Sequence, residues 1–132
     1  MVVMSSPTDA VWNRALDLES PAAAERPGDA ALLTVLTFHG LVMNGGLLSA
    51  VELHANDPVY PADAVVEAYR FLGLESAAGA IDNAVLEERD LDDDAKEAAE
   101  ERIDETYVLE DEDIEQALEV TLTNDPDAFA PL

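Results

Sequence analysis

The sequence contains no cysteine, and only six of its 132 residues are Lys or Arg. Without a thiol the chain can form no disulfide, no thiolate nucleophile and no zinc site built on sulfur. Thirty Asp and Glu residues stand against those six cations, so the formal net charge is −24. This negative charge would repel the phosphates of a nucleic acid, and we therefore exclude nucleic acid as a direct partner.

Long apolar runs are also missing. No stretch approaches the roughly 18 consecutive apolar residues that a membrane-spanning helix needs. The first six residues lack the basic region, the long apolar region and the cleavage signal of a secretory leader. These absences predict a cytoplasmic protein that makes no membrane contact.

Apolar residues are plentiful, at 48% of the chain, although aromatic residues contribute only 5%. They recur at helical spacing in each segment, the breaks are Gly, Pro or Asn, and no alternating strand pattern competes. The chain is also long enough for one compact core. We therefore predict an all-α, single-domain bundle of six or seven helices over residues 1–132. Residues 1–28 form an N-terminal helix and connection, 29–124 the helical core and 125–132 a tail.

Several helix ends can be placed from the residues that favour them. Asp29 is suited to cap a central, apolar helix, and the run Asn44, Gly45 and Gly46 predicts a tight junction to the next helix, with positive φ at one glycine. Residues 56–61 predict a turn. Asp92–Asp94 suit the start of a helix that reaches about Val108.

The acidic residues are concentrated near the C terminus. Residues 87–119 hold seventeen of them against Arg89, Lys96 and Arg102, so this quarter of the chain carries −14 of the total charge. Carboxylates four residues apart on a helix lie about 6 Å from each other, close to the phosphate spacing along one DNA strand. A candidate partner-binding surface therefore comprises Asp93, Glu97, Glu100, Glu101, Asp104 and Glu105. Solvation of an acid-adapted protein in a high-salt cytoplasm would produce the same bias.

Other chemistry is poorly supported by the residues. Asp90, Asp92, Asp94 and Glu101 fit positions 1, 3, 5 and 12 of a calcium-loop template, but Ala95 replaces its turn glycine and Glu97 its apolar position. His39 and His54 have no metal-binding spacing and suit partly buried structural positions. We predict no metal, no cofactor and no catalytic residue, and hence a non-enzymatic protein.

Three segments resemble a known family, the DNA-mimic protein domain family of small acidic helical bacterial proteins. They are the junction Asn44–Leu47 after an apolar helix, the helix Glu67–Gly73 with the Ala-rich Ala77–Ala84 after it, and the closing segment Asp104–Phe129. The resemblance spans roughly residues 30 to 129. Leu47 stands where the family prefers Phe, and Ala50 and Val51 replace aromatic positions that usually follow.

The resemblance implies a function for the acidic surface. In the best-described members this surface imitates duplex phosphates and occupies a DNA-binding protein, and dimers occur. Applied to this chain, it implies a basic DNA-binding partner and a homodimer as one expected state.

Overall fold

Seven α-helices make up most of the computed structural model, which describes residues 7–54 and 61–130. No strand occurs in these two ranges, and the all-α prediction is confirmed. The helices are α1 (Pro7–Leu16), α2 (Pro27–Gly45), α3 (Leu47–His54), α4 (Ala62–Phe71), α5 (Glu75–Glu88), α6 (Asp93–Glu105) and α7 (Asp111–Asn124). Short 3-10 turns at Pro21–Ala23 and Pro126–Ala128 complete the described elements.

The helix α2 lies at the centre of the packing. It is apolar nearly all round and contacts α1, α3 and α4, as expected for a helix that is enclosed by neighbours. Phe38 of α2 meets Tyr69 of α4 edge to face, with ring centroids 6.1 Å apart. The buried apolar cluster extends from Val11 in α1 to Phe129 after α7, and it includes side chains of all seven helices.

The predicted junction between α2 and α3 is present. Gly45 is the last residue of α2, and Gly46 has φ +90°, a conformation that glycine adopts without the penalty of a Cβ atom. The Gly46 N–H donates to the Val42 carbonyl at 2.8 Å and closes the helix. Positive φ at one of the two glycines is therefore confirmed, and Asn44 is an exposed residue of the last turn.

Contrary to the prediction, Asp29 is not the N-cap of α2. The helix begins at Pro27, whose fixed φ suits a first helical position, so Asp29 lies inside the first turn and is buried. Its carboxylate accepts hydrogen bonds from Arg14 Nη2 at 2.8 Å and from the Ala130 N–H at 2.7 Å. Asp29 thereby joins α1 and the C-terminal segment to α2, and buried Phe129 shows that this segment packs on the core.

The predicted end of α6 and the predicted turn at 56–61 have different outcomes. The helix α6 ends at Glu105, three residues before the predicted end at Val108, because Tyr107 turns into the core and the Thr106 hydroxyl donates to the Ile103 carbonyl at 2.6 Å. Most of the predicted turn at 56–61 falls on residues 55–60, which lie outside the described ranges.

Replacing Gly46 with Ala should lower the free energy of unfolding by at least about 1 kcal/mol, because an L residue is strained at this φ. The new Cβ would also collide with the Asp104 carboxylate. Urea denaturation measures the loss. Gly40→Ala is the matched control, because Gly40 lies within α2 with no atom near its added Cβ, so alanine there should be neutral or stabilising. Equal stability of the two variants would contradict this account of the junction.

Candidate protein-interaction surface on α6

The start of α6 is fixed by its own acidic residues. The Asp92 side chain accepts a hydrogen bond from the Ala95 N–H at 2.8 Å, which satisfies one of the free donors of the first turn. Asp93 and Asp94 follow in that turn, where the positive end of the helix dipole favours carboxylates. These three residues therefore stabilise the helix start, whatever else they bind.

The rest of α6 presents carboxylates to solvent. Only Ala99 and Ile103 of this helix are buried, and they face the core. On the outer side, five acidic residues line one open depression of about 440 Å³. They are Glu97, Glu100, Glu101, Asp104 and Glu105, and we call this group the α6 acidic face. The structure thus brings five of the six predicted site residues together and leaves Asp93 at the helix start.

The two basic residues of α6 turn away from the acidic face. Arg102 pairs with Glu87 of α5, and this hydrogen bond lowers the pKa of the Glu87 carboxyl. Lys96 Nζ lies 3.0 Å from Glu88 and 3.9 Å from Glu52, and the hydrogen bond with Glu88 is the main reason why its pKa is raised. Both cations are therefore used to join α6 to α5 and α3.

As a result, four carboxylates of the face have no cation beside them in the part of the chain that the structure describes. Within residues 7–54 and 61–130, no Lys, Arg or His nitrogen lies within 4.0 Å of these carboxylates. Their side chains are exposed, and they are Glu97, Glu100, Glu101 and Glu105. This cluster creates a negative potential that attracts cations.

Asp104 has a different part in the face. Its side chain is half-buried, and Oδ1 accepts a hydrogen bond from the Leu48 N–H at 3.0 Å. Leu48 lies in the first turn of α3, whose N-cap position is occupied by Gly46 rather than by a Ser, Thr, Asp or Asn. Asp104 therefore supplies the missing cap from another helix. The absence of a local cap was the only sequence signal for this contact.

A second set of functional groups was missed by the sequence reasoning. His39, predicted to be partly buried, is almost fully buried and also joins a series of hydrogen-bonded polar side chains. Its Nδ1 lies 2.9 Å from the Tyr107 hydroxyl, and its Nε2 lies 3.0 Å from Asp111 Oδ1. The Tyr107 and Tyr69 hydroxyls are 2.8 Å apart. This set links α2, α4 and the start of α7; the side chain of His54 is outside the described part.

The described residues do not form a metal site. In the described ranges, no three His, Cys, Asp or Glu residues are placed to hold a metal ion. The calcium-loop template fails, because Asp94 and the residues after it belong to a helix. None of the helices in these ranges is both long and apolar enough to cross a bilayer.

Comparison with known proteins identifies the family. A family model described as DMP19-like protein matches residues 24–127. The chain belongs to the DMP19-like family. This is a family of DNA mimics and not a known enzyme family, so the resemblance stated above is confirmed. No curated protein and no solved structure gave a match.

Replacing Asp104 with Ala should cost about 1 kcal/mol of stability, because the Leu48 N–H loses its cap. Glu101→Ala is the matched control on the same helix: it also removes one carboxylate, but from an exposed side chain with no hydrogen-bond partner in the described part. Thermal unfolding of both variants in the same buffer measures the difference. Equal melting temperatures would show that Asp104 is only another surface acid.

Proposed function

We propose that this DMP19-like protein binds a basic DNA-binding protein through the α6 acidic face, in the place that duplex DNA would occupy. The function is binding and not catalysis. The partner is a protein, because the net charge of −24 opposes direct contact with nucleic acid. We place this interaction in the cytoplasm, and we expect a homodimer as one state of the chain from its family.

The observation that carries the proposal is a row of α6 carboxylates that have no cation beside them among the described residues. Glu97, Glu101 and Glu105 follow one another at intervals of four residues on one helix. Their spacing of about 6 Å is close to that of successive phosphates along a DNA strand. Because Lys96 and Arg102 are held by α5 and α3, the face remains available to cations from a partner.

A basic partner would gain affinity as it does on DNA. Counterions that gather at the carboxylates are released when lysines and arginines replace them, so affinity falls steeply as salt rises. The charges also speed the encounter and orient the two proteins. The described atoms of the face thus supply electrostatic attraction rather than a shaped pocket.

Solvation of an acid-adapted protein is the second candidate, and one observation favours it. Exposed carboxylates are not confined to α6, since α7 also carries Glu112, Glu115 and Glu119 on its surface. A protein adapted to high salt would carry such charges over its whole surface and would have no localised partner site. The two candidates differ in whether the position of the charges matters.

Changing Glu97, Glu101 and Glu105 together to Gln should weaken partner binding and flatten its salt dependence, by up to about one unit of log–log slope per carboxylate. The fold should persist, because removing like charges at i and i+4 is neutral or mildly stabilising. A pull-down from the source cell at low and moderate salt supplies the partner. Calorimetry across a salt series then measures affinity and slope.

The matched control is the triple change of Glu112, Glu115 and Glu119 to Gln on α7. It removes the same charge from exposed positions of a neighbouring helix and should leave affinity nearly unchanged. If the two triple variants bind alike, the position of the carboxylates does not matter and the α6 face is not the binding surface. Failure to recover any basic protein at either salt would favour solvation.

A further inference from the structure

The chain of polar groups around His39 runs from the core to the surface. The His39 side chain is 5% exposed, whereas that of Asp111 is 80% exposed. Between His39 and the interior lie Tyr107 and then Tyr69, whose hydroxyl is 3.5 Å from the Val35 carbonyl oxygen. The elements joined are α2, α4, the connection after α6 and the first residue of α7. A buried chain of this kind has defined hydrogen-bond directions.

The directions follow from the carboxylate at the outer end. Asp111 can only accept, so His39 Nε2 carries a proton. In the neutral ring Nδ1 then accepts from the Tyr107 hydroxyl, and Tyr107 in turn accepts from the Tyr69 hydroxyl. Burial is the main cause that raises the pKa of both tyrosines above their ordinary values. Both hydroxyls therefore remain proton donors when the histidine changes its charge.

The same atoms can accommodate a protonated ring without leaving a donor unpaired. Nδ1–H then donates to the Tyr107 oxygen, the Tyr107 hydroxyl donates to Tyr69, and the Tyr69 hydroxyl donates to the Val35 carbonyl. Each hydroxyl rotates, and no heavy atom has to move. The added proton is on Nδ1, and the positive charge of the ring is offset in part by Asp111, whose carboxylate accepts from Nε2–H.

Charged groups of α1 and α7 lie near Asp111, at the surface end of these hydrogen bonds. Asp9 of α1 and Glu115 of α7 share a surface depression with Asp111, so the charged neighbours there are carboxylates and favour a cation. The helix α2 contributes no charged side chain besides Asp29 in its first turn. The α4 and α6–α7 groups in contact are the two tyrosines.

The geometry points to a proton-responsive clamp: His39 takes up a proton inside the folded protein by reversing the Tyr69–Tyr107–His39 hydrogen bonds, and Asp111 balances the charge. The clamp fastens the connection after α6 to α2 and α4 in both protonation states. Tyr69 is needed as an acceptor only in the protonated state, because only then does Tyr107 donate towards it. This asymmetry makes the inference testable without reference to the acidic face.

Tyr69→Phe is the diagnostic change. When the His39 ring is neutral, the change removes the Tyr69 hydroxyl as a donor, and the Tyr107 oxygen loses one hydrogen bond. With a protonated ring it leaves the buried Tyr107 hydroxyl without an acceptor, which is the costlier defect. Stability is compared over the range from about pH 5 to about pH 8, in which histidine acts as a proton switch in proteins. Tyr69→Phe should therefore lower the folding equilibrium constant about tenfold more at the acidic end of this range than at the basic end.

Two controls separate the clamp from ordinary packing. Phe38→Leu disturbs the ring that packs on Tyr69, and its cost should be the same at both pH values. In a His39→Gln background the cost of Tyr69→Phe should also lose its pH dependence, because the titrating ring is absent. An equal cost of Tyr69→Phe at both ends of the pH range in the otherwise unchanged chain would overturn the inference, as would a larger cost at the basic end.

A direct measurement covers the case in which these variants fold poorly. With His54 changed to Gln, His39 is the one remaining histidine of the two in the chain. Nitrogen-15 NMR should show an unprotonated Nδ1 at the basic end and protons on both ring nitrogens at the acidic end, with the Tyr107 resonances of the folded state retained. A ring that protonates only when the fold is lost would contradict the clamp.

Discussion

The attachment of α6 is the constraint on which the acidic surface depends. This helix has only two buried side chains, Ala99 and Ile103, so apolar packing holds it weakly. Polar contacts also attach α6 to its neighbours. Asp104 caps α3, Lys96 pairs with residues of α3 and α5, and Arg102 pairs with α5. Because both cations of α6 are used in this attachment, Glu97, Glu100, Glu101 and Glu105 on its outer side have no cation beside them in the described ranges.

The rest of the molecule makes such a charged helix tolerable. The central helix α2 is enclosed by α1, α3 and α4, and its apolar contacts lie in the part of the chain that carries less charge. Like charges on α6 and α7 oppose compactness, but they are exposed, where water and salt screen them. Core stability and surface charge are therefore largely assigned to different helices, so changes to the exposed carboxylates should leave the fold intact.

Local patterns in the sequence predicted the helices and the Gly46 junction well, because helical periodicity and the conformational freedom of glycine act over a few residues. The exposure of Glu97 and Glu101 followed from the same periodicity. Asp29, Asp104 and His39 could not be placed in this way. Each is defined by a partner that is distant in the chain: Asp29 by Ala130, Asp104 by Leu48 and His39 by Asp111. A carboxylate that caps another helix looks identical in sequence to one that faces solvent.

Competition with DNA tests the central claim most directly. A basic DNA-binding protein recovered on this chain is first saturated with a fluorescent duplex, and the chain is then added while fluorescence anisotropy reports the bound DNA. If the α6 acidic face occupies the DNA-binding surface, the duplex is released, and the concentration needed rises in proportion to the DNA present. A stable ternary complex, with the chain bound and no duplex released, would contradict the account.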